Sequence, residues 1–239
     1  MTKLTMKKEW LLAVILVASV NGFASPVDNS DKTLVMQQVK AVKWHSIIDD
    51  MAWAYTIETR LDTGRGEVQQ RVQRFSPDLP SNAQWQLLEQ QYETPSEHAL
   101  HEYRQTMSAL TDEPEEVKSS KIISLETLRY QGTSAEYIEY QFQPSLPMFD
   151  QDNERSFSGT LYVNQDNKEL AYLTVSLVNP ISPSFTVKLM KYELRLDFAT
   201  DNKSIHVVKV ESHKVGKLLF VSEFNEKSTR IISEISAVD

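Results

Sequence analysis

Residues 190–198 read Met190-Lys191-Tyr192-Glu193-Leu194-Arg195-Leu196-Asp197-Phe198. In steps of two, Met190, Tyr192, Leu194, Leu196 and Phe198 fall on one side, and Lys191, Glu193, Arg195 and Asp197 on the other. Successive side chains of a strand point to opposite faces, so this stretch predicts a long strand, dry on one face and wet on the other. Comparable alternation fills 157–235 on both sides of it. The expected fold class is mainly β (α+β): a single strongly curved antiparallel sheet or half-barrel with two covering helices. About nine or ten strands are expected, enough for accumulated twist to curl an open sheet.

Upstream, Val35, Val39 and Val42, then Trp44, Ile48 and Met51, predict a helix over 33–51. Residues 53–62 and 67–75 alternate about the turn Thr63-Gly64-Arg65-Gly66 and predict a hairpin. Trp85 to Leu88 reads as a short strand or edge. Thr94-Pro95-Ser96-Glu97 predicts a helix start, with Thr94 as cap and Glu97 bonding back to it. That helix runs to Leu110 with Leu100, Tyr103, Met107 and Leu110 on one face, followed by an acidic loop over 111–120. Further strands are expected at 122–130, 135–142, 157–163, 169–178 and 205–215, with Gly216 as a break before 217–224 and 229–235.

The N-terminus combines Lys3, Lys7 and Lys8, a ten-residue apolar run at 11–20, and the small residues Gly22 and Ala24. That is the layout of a secretory signal peptide, with an apolar run too short to span a bilayer. The expected organisation is a signal peptide over 1–24, a flexible leader over 25–32 and one β-rich domain over 33–239. Loss of the signal removes three Lys and one Glu, taking the net charge from −8 to −10. Such an acidic chain has no basic patch for nucleic acid. It has no cysteine, hence no disulfide and no lipid-bearing Cys after the signal. The expected location is the periplasm, as a soluble exported protein that is not a lipoprotein.

Three stretches carry a resemblance. They are Phe75-Ser76-Pro77 with Trp85-Gln86-Leu87-Leu88 and the Thr94-Pro95 helix start; Asn179-Pro180-Ile181-Ser182-Pro183-Ser184-Phe185 into Val187-Lys188; and Gly216-Lys217-Leu218-Leu219-Phe220 with Phe224. They resemble an uncharacterised family of exported proteobacterial proteins, over most of the chain after the signal and with no activity implied. The order of helix, hairpin, lid helix and many strands resembles the lipoprotein-carrier fold, an unclosed β-barrel that covers acyl chains with helices. That resemblance is one of architecture. It implies a buried gating arginine, and Arg60, Arg71 and Arg74 lie on the first hairpin.

No nucleophile elbow, HExxH, P-loop or dinucleotide fingerprint is present, so no catalytic residue, cofactor or reaction is expected. His98 and His101 are three apart on the second helix, on the side away from its apolar stripe, and a zinc site needs a third protein ligand. No metal is expected. The function class is then a binder or carrier of an apolar ligand, a lipid or a lipoprotein acyl chain. Its cavity is expected to be lined by Met190, Tyr192, Leu194, Leu196, Phe198, Leu218 and Phe220, and its lip by Met148, Phe149, Ile181 and Phe185. The alternative is a solid core and a protein partner docked on the exterior.

Overall fold

The computed structural model describes residues 29–43, 53–111, 122–146, 149, 151–201, 204–219 and 222–238. The helices are α1 (Asn29–Ala41), α2 (Glu97–Thr111) and the single turn α3 (Gln151–Glu154). The strands are β1 (Val42–Lys43), β2 (Trp53–Asp62), β3 (Val68–Phe75), β4 (Trp85–Gln90), β5 (Arg129–Thr133), β6 (Tyr137–Phe142), β7 (Phe157–Asn164), β8 (Leu170–Leu177), β9 (Ile181–Ser184), β10 (Val187–Asp201), β11 (Ser204–Leu218) and β12 (Ser222–Ala237). All twelve join one sheet, ordered β4-β3-β2-β12-β11-β10-β8-β7-β6-β5, with β1 on β11 and β9 on β10. Every pairing is antiparallel except the short β1–β11 pair. β4 and β5 end the path, so the sheet is open, as the alternation of hydrophobicity predicts.

The first helix is shorter and earlier than its periodicity suggests. It carries Asp31 in its first turn and Lys40 in its last, matching the helix dipole. It stops at Ala41, and Val42 pairs instead with Ile205. β12 pairs with β11 only from Lys209 onward, so the start of β11 has an open edge that β1 fills. The Trp44, Ile48 and Met51 stripe lies outside the described residues, as does the acidic loop at 112–120. Val35, Val39 and Val42 enter one core cluster with Tyr140, Leu161, Leu173, Leu196 and Val207. Gln38 pins α1 to the β7–β8 hairpin, donating to Lys168 O at 2.9 Å and accepting from Leu170 N at 3.2 Å.

Three further differences have local causes. Gly216 does not end its strand: β11 runs on to Leu218, and the ring of Phe224 on the neighbouring strand occupies the space a Cβ would take. The expected strand at 217–224 is divided, its first two residues ending β11, and β12 runs from Ser222 through the expected strand at 229–235, bent by a bulge where Glu234 takes a φ of 51°. Residues 122–128 are a bridge to Pro144 and a single 3₁₀ turn, with Ile122, Ile123 and Leu128 buried in the core cluster.

Candidate ligand cleft on the concave face

The long strand β10 behaves differently at its two ends. Leu189 pairs with Gly216 and Lys191 with Val215, so Met190 is the extra residue of a bulge and is 47% exposed. The alternation is continuous from Tyr192 onward: Tyr192 and Leu196 are 4% and 1% exposed, Phe198 is buried and Leu194 half-buried. These side chains lie in the solid core shared with α1, and burial pushes the Tyr192 phenol up to about 12. Among the described residues Tyr192, Leu196 and Phe198 are thus packed against core neighbours and line none of the hollows described below. Leu218 is turned to solvent, and Phe220 lies outside the described residues.

The expected lip divides in the same way. Ile181 is buried, and Phe149 stacks on Phe157 at 4.9 Å. Phe185 is 88% exposed at the tip between β9 and β10. Met148 lies outside the described residues.

A hollow space lies further along the same face. Tyr55 packs on Phe75 and Trp85, which places the inward side of β2 and β3 in the core. Two-residue steps carry Ile57, Thr59 and Leu61 onto that side. Their partners follow by register: Gln73 and Ile232 flank Ile57, Arg71 and Arg230 flank Thr59, and Gln69 and Ser228 flank Leu61. One cross-strand row thus runs from Leu161, Leu173, Leu196 and Val210 through Arg230 and Thr59 to Arg71 and Gln90. Its apolar end is the packed core. Its polar end is open, forming a cleft of about 510 Å³ lined by Ile57, Thr59, Leu61, Gln69, Arg71, Gln73, Trp85, Gln90 and Arg230, with Gln70 and Gln91 at its border.

Helix α2 packs beside the cleft, against its lining residues Gln73 and Arg71. Its start differs by two residues from the expected one: Ser96, not Thr94, is the cap, its Oγ accepting the Ala99 amide at 3.2 Å. Tyr103 is buried, and Gln73 Nε2 donates to its hydroxyl at 2.8 Å. The Arg71 guanidinium sits 5.9 Å from the Tyr103 ring centre. Between α2 and β4 lies a second hollow of about 530 Å³, whose walls include Trp85, Leu87, Leu88, Leu100 and Tyr103. Trp85 borders both spaces.

Among the described residues the cleft lining contains two arginines and no carboxylate. A groove of about 460 Å³ lined by Glu193, Arg195, Glu211 and His213 is different. There Glu193 meets Lys191 at 3.0 Å, Arg195 meets Asp197 at 2.7 Å and Glu211 meets Lys209 at 2.8 Å. On the first hairpin, Arg60 and Arg71 are exposed and half-buried Arg74 is paired to Glu234 at 2.8 Å, so none supplies the buried gating arginine that the resemblance implies. His98 and His101 point along α2 to Glu102 and Gln105, at 3.3 Å and 3.0 Å.

No family model and no curated protein matches this chain. Among solved structures, a LolA superfamily protein from Nitrosomonas europaea is similar over 87% of this chain and 94% of its own, with 10% sequence identity and a TM-score of 0.36. A likeness this loose fixes neither family nor ligand. Sequence reading missed the cleft because Gln69, Arg71, Gln73 and Arg230 look like an ordinary wet face; only the strand register turns them inward beside Ile57 and Leu61.

Proposed function

We propose that this protein is an exported carrier or binder of a ligand bearing a hydrocarbon chain, such as a lipid or the acyl chain of a lipoprotein. The observation that carries this reading is the pair of hollows, about 510 and 530 Å³, that share Trp85 in their walls. Each has the size of a small-molecule site, and Trp85, Leu87, Leu88 and Leu100 offer apolar wall. Each methylene buried there is worth about 0.8 kcal/mol, so partial cover of a chain suffices for useful affinity. Helix α2, held through Tyr103, is the element that would part from β4 to admit the chain. The role is binding, with no reaction. The basic, apolar and small-residue order of 1–24 supports a periplasmic location. No helix among the described residues is long and apolar enough to cross a membrane.

The test is uptake of a fluorescent fatty acid by the purified protein. Saturable uptake that falls in Leu100→Arg, a charge set into the α2–β4 hollow, supports the reading. Absence of uptake, or uptake unchanged by that substitution, contradicts it.

A second reading rests on a different surface. Phe185 and Leu219 are 88% and 62% exposed at neighbouring hairpin tips, joined where Leu219 N donates to Thr186 O at 2.7 Å. Apolar groups gathered in this way suit contact with a protein partner. Loss of a defined partner in Phe185→Ser, with fatty-acid uptake intact, would favour it.

A further inference from the structure

The row Arg71–Thr59–Arg230 sets two guanidinium side chains on either side of a hydroxyl. Thr59 on the central strand pairs with both arginines, so all three side chains rise from one face. Adjacent strands lie about 4.8 Å apart, which sets the two arginine Cα atoms roughly 10 Å from each other. From that spacing two guanidiniums can close over a single oxyanion, each with a two-pronged donor edge, with a hydroxyl donor beneath. Among the described residues neither guanidinium has a carboxylate partner. The described residues that line the cleft include no acidic side chain, in a protein whose net charge is −8. Gln69 and Gln90 line the same cleft and supply further amide donors.

We infer that Arg71, Thr59 and Arg230 hold the oxyanion head group, a phosphate or carboxylate, of an amphiphile whose chain lies toward Trp85 and α2. This deepens the carrier reading and rests on it for the chain. The apolar walls are on the side of Trp85 and Leu87, and the cationic row is on the other, so the site has a head end and a tail end.

The test compares three probes on the full chain by calorimetry: dodecyl phosphate, the neutral amphiphile dodecyl maltoside, and inorganic phosphate. The variants are Arg71→Gln, Arg230→Gln, the double variant, and Arg60→Gln as a control from the opposite face of β2. Each variant's thermal unfolding is checked first. Dodecyl phosphate is expected to bind at least tenfold more tightly than the maltoside. The double variant is expected to erase that preference without weakening maltoside binding, and Arg60→Gln to leave both unchanged. Equal affinity for the two amphiphiles, or a preference that survives the double variant, overturns the inference and leaves the carrier reading standing. Inorganic phosphate binding as tightly as dodecyl phosphate, and lost in the double variant, overturns the head-group assignment in favour of a free-ion site. If neither amphiphile nor phosphate binds, both the inference and the carrier reading fall.

Discussion

Gln73 on β3 donates its side-chain amide to the hydroxyl of Tyr103 on α2, at 2.8 Å. It fastens the helix to the sheet at the edge of the cleft. Tyr103→Phe removes the bond and keeps the ring, leaving the Gln73 amide short of an acceptor. A loss of about 1 kcal/mol in global stability is expected. Amide exchange should rise through 97–107 and stay unchanged in β7, β8 and β10. Uniform acceleration throughout the sheet would show that Tyr103 does not act as a local latch.

Phe142 pairs with Gly159, and its ring lies where a Cβ on that glycine would sit. Gly159→Ala therefore forces the ring off a buried position. A destabilisation of about 1–3 kcal/mol is expected, read as a lower urea midpoint. Gly132→Ala serves as control, since nothing lies within 4 Å of its Cβ position, and should stay within about 0.5 kcal/mol of the parent. Matching effects at the two sites would contradict the ring-on-glycine packing.

The Tyr192 phenol is raised from 10.0 to about 12 by burial. A group whose folded pKa is raised gives stability that is complete below its unfolded pKa and is lost as pH climbs through the folded one. Tyr140 and Tyr172 are shifted in the same direction, each chiefly by burial. Stability should thus fall between about pH 10 and 12. Tyr192→Phe should remove about 1.3 kcal/mol of that fall by pH 11, half of what the full shift carries. Urea midpoints at pH 9 and pH 11 for both proteins check this; an equal fall in the two would remove Tyr192 from the account.

Leu196 and Met190 share a face by sequence parity, yet one is 1% and the other 47% exposed. Leu196→Ala should cost about 2–5 kcal/mol, while Met190→Ser should stay within about 0.5 kcal/mol. Thermal unfolding separates the two. Similar losses would mean that the bulge does not turn Met190 outward in solution.

The same pair shows what alternation can and cannot reveal. Period-two patterning identifies strands because burial on one face demands it, and the open, mainly antiparallel sheet follows directly. A bulge inserts one residue with no distinctive side chain, so the flip at Met190 has no signature in the chain. Ser96 takes the cap in place of Thr94 because both are good oxygen acceptors two residues apart, and spacing does not choose between them. Gly216 reads as a breaker until Phe224 is known to lie opposite. The cleft was hidden for a related reason: Arg71 and Arg230 are far apart in sequence and flank Thr59 only because both strands pair with β2.

Native mass spectrometry of the protein purified without detergent from its own host tests the carrier reading most directly. The expected result is a population bearing one non-covalent adduct of lipid mass, released on gentle activation and depleted in Leu100→Arg. A bare polypeptide mass under the same conditions, unchanged after incubation with dodecyl phosphate or fatty acid, would contradict it.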